Sequence, residues 1–166
     1  MSSTAALAAR LLELCRAQGL TLSTAESCTG GMIGAAITEI PGSSEAYLGG
    51  FITYSNRAKR QLLGVAAATL EAHGAVSEPV AAQMAAGARR ALGATLAVSV
   101  TGIAGPGGSE HKPEGRVCFG LAHTGGIATQ TVDFGALGRA RVRTAATRHA
   151  LELLVKAAQA DSDFAQ

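Results

Sequence analysis

The stretch "TLSTAESCTGG", residues 21–31, decides how the chain is read. Leu20, Leu22 and Thr24 begin a strand that stops at Glu26-Ser27. Cys28 and Thr29 then lead into Gly30, Gly31 and a helical spacing of Met32, Ile33, Ala36, Ile37 and Ile40. A strand passing directly into a helix is the repeating unit of α/β sheets, and open sheets of this kind bind ligands at the carboxyl ends of their strands. Ser27 stands at such an end. It also stands at a helix N-terminus, where the first N–H groups lack intrahelical partners and the dipole favours negative charge. A phosphate or the oxyanion of an acyl-transfer intermediate suits that place, and Gly30 and Gly31 clear side chains from the approach. Simple capping by Ser27 or Thr29 accounts for the same letters. Cys28 is a second candidate nucleophile, although small buried cysteines are common in cores.

Outward from this stretch the pattern continues. Leu7, Leu11, Leu12 and Leu14 mark a helix over 3–18 that ends at Gly19. After "PGSS" at 41–44, "YLGGFITYS" (47–55) reads as a strand, "NRAKRQLLG" (56–64) as a short helix and 67–73 as another. "SEPVAAQMAAGARRALGA" is a helix with Ser77 as N-cap, Pro79 in the first turn and Gly93 at its end. "TLAVSV" (95–100) is a strand apolar enough to be buried on both faces. "TGIAGPGGSEHKPEG" is a long glycine-rich loop. "RVCFGLAH" and "IATQTVDF" form a strand pair joined at "TGG", and a long helix covers about 139–158, with the tail 161–166 expected to fray. The order predicts an α/β fold, a three-layer α/β/α sandwich with a mixed, mostly parallel sheet, its antiparallel part near 116–134.

The 166 residues suit one domain, 1–166. With 48 % hydrophobic and 16 % charged residues, the chain has a core to bury and is not a disordered segment. A net charge of +2 implies no nucleic-acid partner. Cys15, Cys28 and Cys118 show no CxxC spacing, so neither a disulfide framework nor a zinc site is expected and a reducing cytoplasm is the default. The first residues form an amphipathic helix interrupted by Arg10 and Glu13, not a signal peptide, and no segment is apolar enough to span a membrane. No metal and no cofactor are called for.

A nucleophilic Ser needs a base. Of the four histidines, His111 in the glycine loop has the clearest route to a site, while His73, His123 and His149 lie in helices or at a strand end; none has an evident carboxylate partner. Lys59 offers another route. It follows a strand end by about one helical turn, and a Lys desolvated by apolar neighbours loses its proton near neutral pH. Arg57, Lys59 and Arg60 as a merely solvated face is the competing reading. The loop after 100, with Thr101 and Ser109, suits a nucleotide or phosphate, yet its spacing is neither a P-loop nor a Rossmann fingerprint.

Taken together, "TAESCTGG", "GSSEAYLGGFITYSNRAK", "LLGV", "HGAVSEPVAAQMAAGAR" and "AVSVTGIAGPGGSEHKPEGRVCFGLA" resemble the CinA C-terminal domain family over about residues 5–155. In two-domain members this unit follows a larger domain, so the resemblance implies a stand-alone form. It also implies hydrolysis of the carboxamide of nicotinamide mononucleotide, giving nicotinate mononucleotide and ammonia. By that resemblance Ser27 is the nucleophile, Lys59 its base, and Tyr54 an orienting or relaying group. Backbone donors around Cys28, Thr29, Gly30 and Gly31, or in the turn Thr101, Gly102, Ile103, Ala104, Gly105, would hold the oxyanion. The glycine loop, together with Arg143, would hold phosphate and ribose. Where many members carry Gly-Asp-Arg before the last helix, this chain has "LGRARVR", which leaves the anchoring of Arg139 open. A homo-oligomer is expected by the same analogy. The alternative reading is a catalytically silent nucleotide-binding module connected with competence or DNA damage.

Overall fold

The computed structural model describes residues 2–164, with side chains through residue 160. Five strands form one sheet: β1 (Leu22–Glu26), β2 (Tyr47–Ile52), β3 (Leu96–Gly102), β4 (Arg116–His123) and β5 (Gly126–Asp133). Their spatial order is β2-β1-β3-β4-β5. β1 pairs parallel with both β2 and β3, whereas β3–β4 and β4–β5 are antiparallel, so the mixed sheet divides its pairings equally between the two kinds. β1 is buried at every position and β3 at all but its last, as their apolar runs require of strands covered on both faces.

Among the described residues six α-helices flank the sheet, besides a short 3-10 turn at Ser43–Glu45: α1 (Thr4–Gln18), α2 (Met32–Thr38), α3 (Asn56–Leu63), α4 (Ala67–His73), α5 (Glu78–Leu92) and α6 (Arg139–Phe164). On one face Leu11, Leu14, Ile33, Ile37, Val142, Leu151 and Leu154 of α1, α2 and α6 pack on Leu22, Val98, Val100 and Phe119. On the other, Leu63, Val80, Met84, Ala85 and Ala88 of α3 and α5 pack on Ala25, Ala97 and Ala122. The small residues on that side let backbones approach closely: a methyl group at Gly87 would strike the carbonyl of Leu63, and one at Gly120 the carbonyl of Ala81.

Local signals set the ends of most helices. Ser3, Ser55 and Ser77 cap α1, α3 and α5 through their hydroxyls, and Gly19, Gly64 and Gly93 close them in the left-handed conformation. Several boundaries differ from the sequence reading: β1 begins at Leu22, β2 ends at Ile52 and not at Ser55, and β3 runs on to Gly102. α2 starts at Met32, because Ser27–Gly31 is spent on a turn in which Gly30 and Gly31 have φ of 57° and 107°. α6 runs on to Phe164 where fraying is expected from composition; residues 165 and 166 lie outside the described residues.

Register fixes where the chemistry falls. Glu26 pairs with Ile52 on one side and Val100 on the other, so β1 and β2 end level while β3 runs two residues further, to Gly102. Ser27, Thr53-Tyr54 and Thr101 therefore emerge at a common edge, and main-chain bonds from Ser27 N to Val100 O (3.0 Å) and from Thr53 N to Glu26 O (2.8 Å) hold them there.

Candidate active site

At that edge Lys59 reaches back from the first turn of α3 beneath the strand ends. Ser55 caps the helix through Ala58 N, which places Lys59 on its inner face. Its Nζ donates to Ser27 Oγ at 2.9 Å, to Thr53 O at 2.9 Å and to Tyr54 O at 3.3 Å. Lys59 is 1 % exposed and Ser27 7 %. Burial lowers the Lys59 pKa to about 8, with Cys28 and Glu110 opposing that fall. A buried lysine held by two carbonyls and one hydroxyl can, when neutral, point two N–H bonds at the carbonyls and its lone pair at the serine proton.

Ser27 and Lys59 lie on the wall of a cavity of about 320 Å³. Cys28, Tyr54, Ala75, Val76, the run from Thr101 to Glu110, and Arg139 complete the lining. No histidine belongs to it; His111 is exposed on its turn and His149 bonds Gln130 on the far side of the sheet. The Cys28 thiol, 6 % exposed, has its pKa pushed up to about 11 by burial, which keeps it protonated and a poor nucleophile beside the serine. Among the described residues no group of three His, Cys, Asp or Glu side chains is placed to hold a metal ion.

Several residues singled out from the sequence take other positions. The helix N-terminus after Ser27 is not open to an anion, because Glu26 already occupies it. Its Oε1 accepts from Thr29 Oγ1 (2.6 Å), Gly31 N (3.2 Å) and Ile33 N (3.0 Å), and its Oε2 from Gly34 N (3.0 Å). Thr29, Gly30 and Gly31 accordingly lie outside the cavity lining, and the two glycines serve the turn's positive φ in place of ligand access. Arg143 also stays behind the loop, donating to Cys28 O (3.0 Å) and Thr29 O (3.3 Å). The arginine that reaches the cavity is Arg139, one turn earlier. Its guanidinium donates to Gly105 O (2.6 Å) and to the Tyr54 hydroxyl (2.9 Å), so the Tyr54 ring stands at the rim and its carbonyl, not its phenol, meets Lys59. Thr101 turns its hydroxyl to Ala75 O (2.8 Å), tying the glycine loop to the segment before α5. Glu26 is the residue sequence reasoning leaves without a role. A carboxylate just ahead of a helix start is a capping signal, but the intervening five-residue turn hides it.

With this geometry in view, the comparisons with known proteins are decisive for the family. The model of the CinA C-terminal domain matches residues 4–158. The chain belongs to the CinA C-terminal domain family. It is 51 % identical over 140 residues to the nicotinamide-nucleotide amidohydrolase PncC of Escherichia coli K12, covering 84 % of this chain and 85 % of that one. To a CinA-like protein of Chlorobaculum tepidum it is 60 % identical over 104 residues, 62 % of this chain, but spans only 25 % of that longer relative. Among solved structures, the competence/damage-inducible protein CihA of Agrobacterium tumefaciens superposes with a TM-score of 0.90 at 46 % identity, covering 94 % of this chain and 96 % of that one. A competence or damage-inducible protein of Enterobacter asburiae reaches 0.92 at 33 % identity, with 95 % and 99 % covered. No described helix of this CinA-family chain is long and apolar enough to cross a membrane.

Proposed function

We propose that this chain is a nicotinamide-nucleotide amidohydrolase, which hydrolyses the carboxamide of nicotinamide mononucleotide to nicotinate mononucleotide and ammonia. The observation that carries this is the 2.9 Å contact between Lys59 Nζ and Ser27 Oγ, buried at the wall of a cavity of nucleotide-compatible size. The 51 % identity to an amidohydrolase over most of both chains supports the substrate class.

In this reading neutral Lys59 takes the Ser27 proton as Oγ attacks the carboxamide carbon. The N–H of Cys28, next to the nucleophile on the cavity lining, receives the developing oxyanion. Collapse breaks the C–N bond, with the Lys59 proton leaving on ammonia, and an ester remains on Ser27. A water deprotonated by Lys59 attacks that ester, the C–O bond to Ser27 breaks, and the proton returns to Oγ. Tyr54 orients the base through its carbonyl. Thr101 to Gly105 line the same cavity, and Arg139 is the residue assigned to the phosphate, since its guanidinium meets only a carbonyl and a phenol and no carboxylate among the described residues.

Coupled detection of ammonia from nicotinamide mononucleotide tests the proposal. Wild type should turn over, while Ser27→Ala and Lys59→Met each lose at least about a thousandfold in kcat; the double variant should lose no more than the worse single one, because the two groups act as one unit. Full activity in Ser27→Ala with loss in Cys28→Ala would overturn the assignment, and binding without turnover in the wild type would favour the silent module. The same panel with NAD, nicotinamide and its riboside separates other amide substrates. We further propose that the chain self-associates. Exposed Leu48 and Ile52 on the edge strand β2 support this, and sedimentation checks it.

A further inference from the structure

Glu110 is the single carboxylate among the described residues that line the cavity, and it shares that wall with Ser27 and Lys59. It sits on a tight two-residue hairpin: Ser109 and Lys112 exchange both main-chain bonds, at 3.0 and 2.8 Å, and Glu110 and His111 are the two residues between them. Both have positive φ, 51° and 63°. Such turns favour Asn-Gly, and a Glu-His pair is held there against its own preference. The hairpin is tied down from outside. Lys112 Nζ donates to His73 O (2.7 Å) and Val76 O (2.6 Å), and lies 3.9 Å from Glu110 Oε2. The Glu110 carboxylate is packed over Gly74, where an added methyl group would collide with it. The turn thus fixes a negative charge on the lining of a cavity that the Arg139 guanidinium also lines.

We propose that Glu110 selects for a cationic ring: its carboxylate recognises the positive charge of an N-ribosylated pyridinium whose carboxamide lies at Ser27. This rests on the amidohydrolase reading above. The carboxamide is bonded directly to the pyridinium, so a substrate whose carbonyl is in reach of Ser27 Oγ has its ring against the wall next to Lys59. The Glu110 charge is felt at that place, since it raises the Lys59 pKa against the effect of burial. The nucleotide is bipolar, cationic at the ring and anionic at the phosphate, and the cavity lining carries a complementary charge for each, the Glu110 carboxylate and the Arg139 guanidinium. A neutral amide of similar shape gains nothing from Glu110.

Calorimetric binding to the Ser27→Ala protein, which does not consume the ligand, tests this with three probes: nicotinamide mononucleotide, its 1,4-dihydro form with a neutral ring, and ribose 5-phosphate. Glu110 is half exposed, so a modest effect is expected: Glu110→Gln should weaken the pyridinium nucleotide about three- to tenfold and leave the other two unchanged. Glu110→Asp should recover part of the loss. Equal weakening of all three probes would mean a damaged loop and overturn the proposal, as would an unchanged affinity for the pyridinium nucleotide or no binding of it at all. Ammonia release by the Ser27 protein is read separately. A chain that binds with this ring-charge selectivity yet releases no ammonia refutes the hydrolase reading alone, and turnover without the selectivity refutes this one alone.

Discussion

A lysine with 1 % of its surface exposed has lost nearly all its hydration, and two carbonyls and a hydroxyl replace only part of it. That is why its pKa falls from 10.5 to about 8. The consequence for rate is large. At pH 7 an amine of ordinary pKa is neutral in roughly one molecule in several thousand, whereas one near 8 is neutral in about a tenth. In the proposed mechanism the reactive form is the neutral amine, so kcat/KM for ammonia release should rise tenfold per pH unit below about 8 and level off above it. A pH–rate profile that is flat or falling between 6 and 8 would remove Lys59 from the role of base. At this scale the sequence was only partly legible. Ser27 and Lys59 were visible as chemistry-bearing types in suggestive places, but their contact spans 32 positions and depends on strand register. Arg139 and Arg143 are alike as letters and share one face of α6, and only their positions one turn apart along the helix decide that one meets the cavity and the other the back of the loop.

At the scale of elements, the short helix α2 depends on Glu26. Its carboxylate captures three of the main-chain donors at and around the helix start together with the Thr29 hydroxyl, and so rigidifies the turn that presents Ser27. Glu26→Gln keeps the volume but turns a fourfold acceptor into a group with two unwanted donors. Urea denaturation should show a loss of about 2–3 kcal/mol, in the range for buried hydrogen bonds to a carboxylate. The other element on which the site depends is α3, which carries Lys59 and is pressed against α5 at Gly87. A methyl there meets the Leu63 carbonyl, so Gly87→Ala must push α3 outward. The expected result is about 1–3 kcal/mol of lost stability together with a roughly hundredfold lower kcat, since a displacement near 1 Å is enough to spoil a proton-transfer geometry. Retained activity in that variant would show that α5 does not set the position of Lys59.

For the molecule as a whole, the low pKa of Lys59 is also a statement about stability. A base whose pKa is lower folded than unfolded is charged in both states below about pH 8, where its burial weighs fully against the fold. Between about 8 and 10.5 the unfolded chain binds more protons, so stability rises with pH across that window. The gain is at most about 3 kcal/mol, from about 2.5 pKa units at 1.36 kcal/mol each. Urea midpoints across pH 7–10.5 should show this slope in the wild type, and Lys59→Met should lack it. The sequence by itself determined the alternation of helices and strands, the Ser caps and Gly stops, and the family, because these are written in local periodicity, turn chemistry and contiguous motifs. It also placed β4, α4 and α5 within a residue of their ends. The tertiary structure alone decided the rest: that the strand register brings Ser27, Thr53 and Thr101 to one edge, that Glu26 closes the helix terminus which looked open to an anion, that Tyr54 offers its carbonyl and not its phenol to Lys59, and that Lys59 is buried against Ser27. Each of these depends on distances across the sheet and on water excluded from a shared edge, quantities that no short window of residues contains.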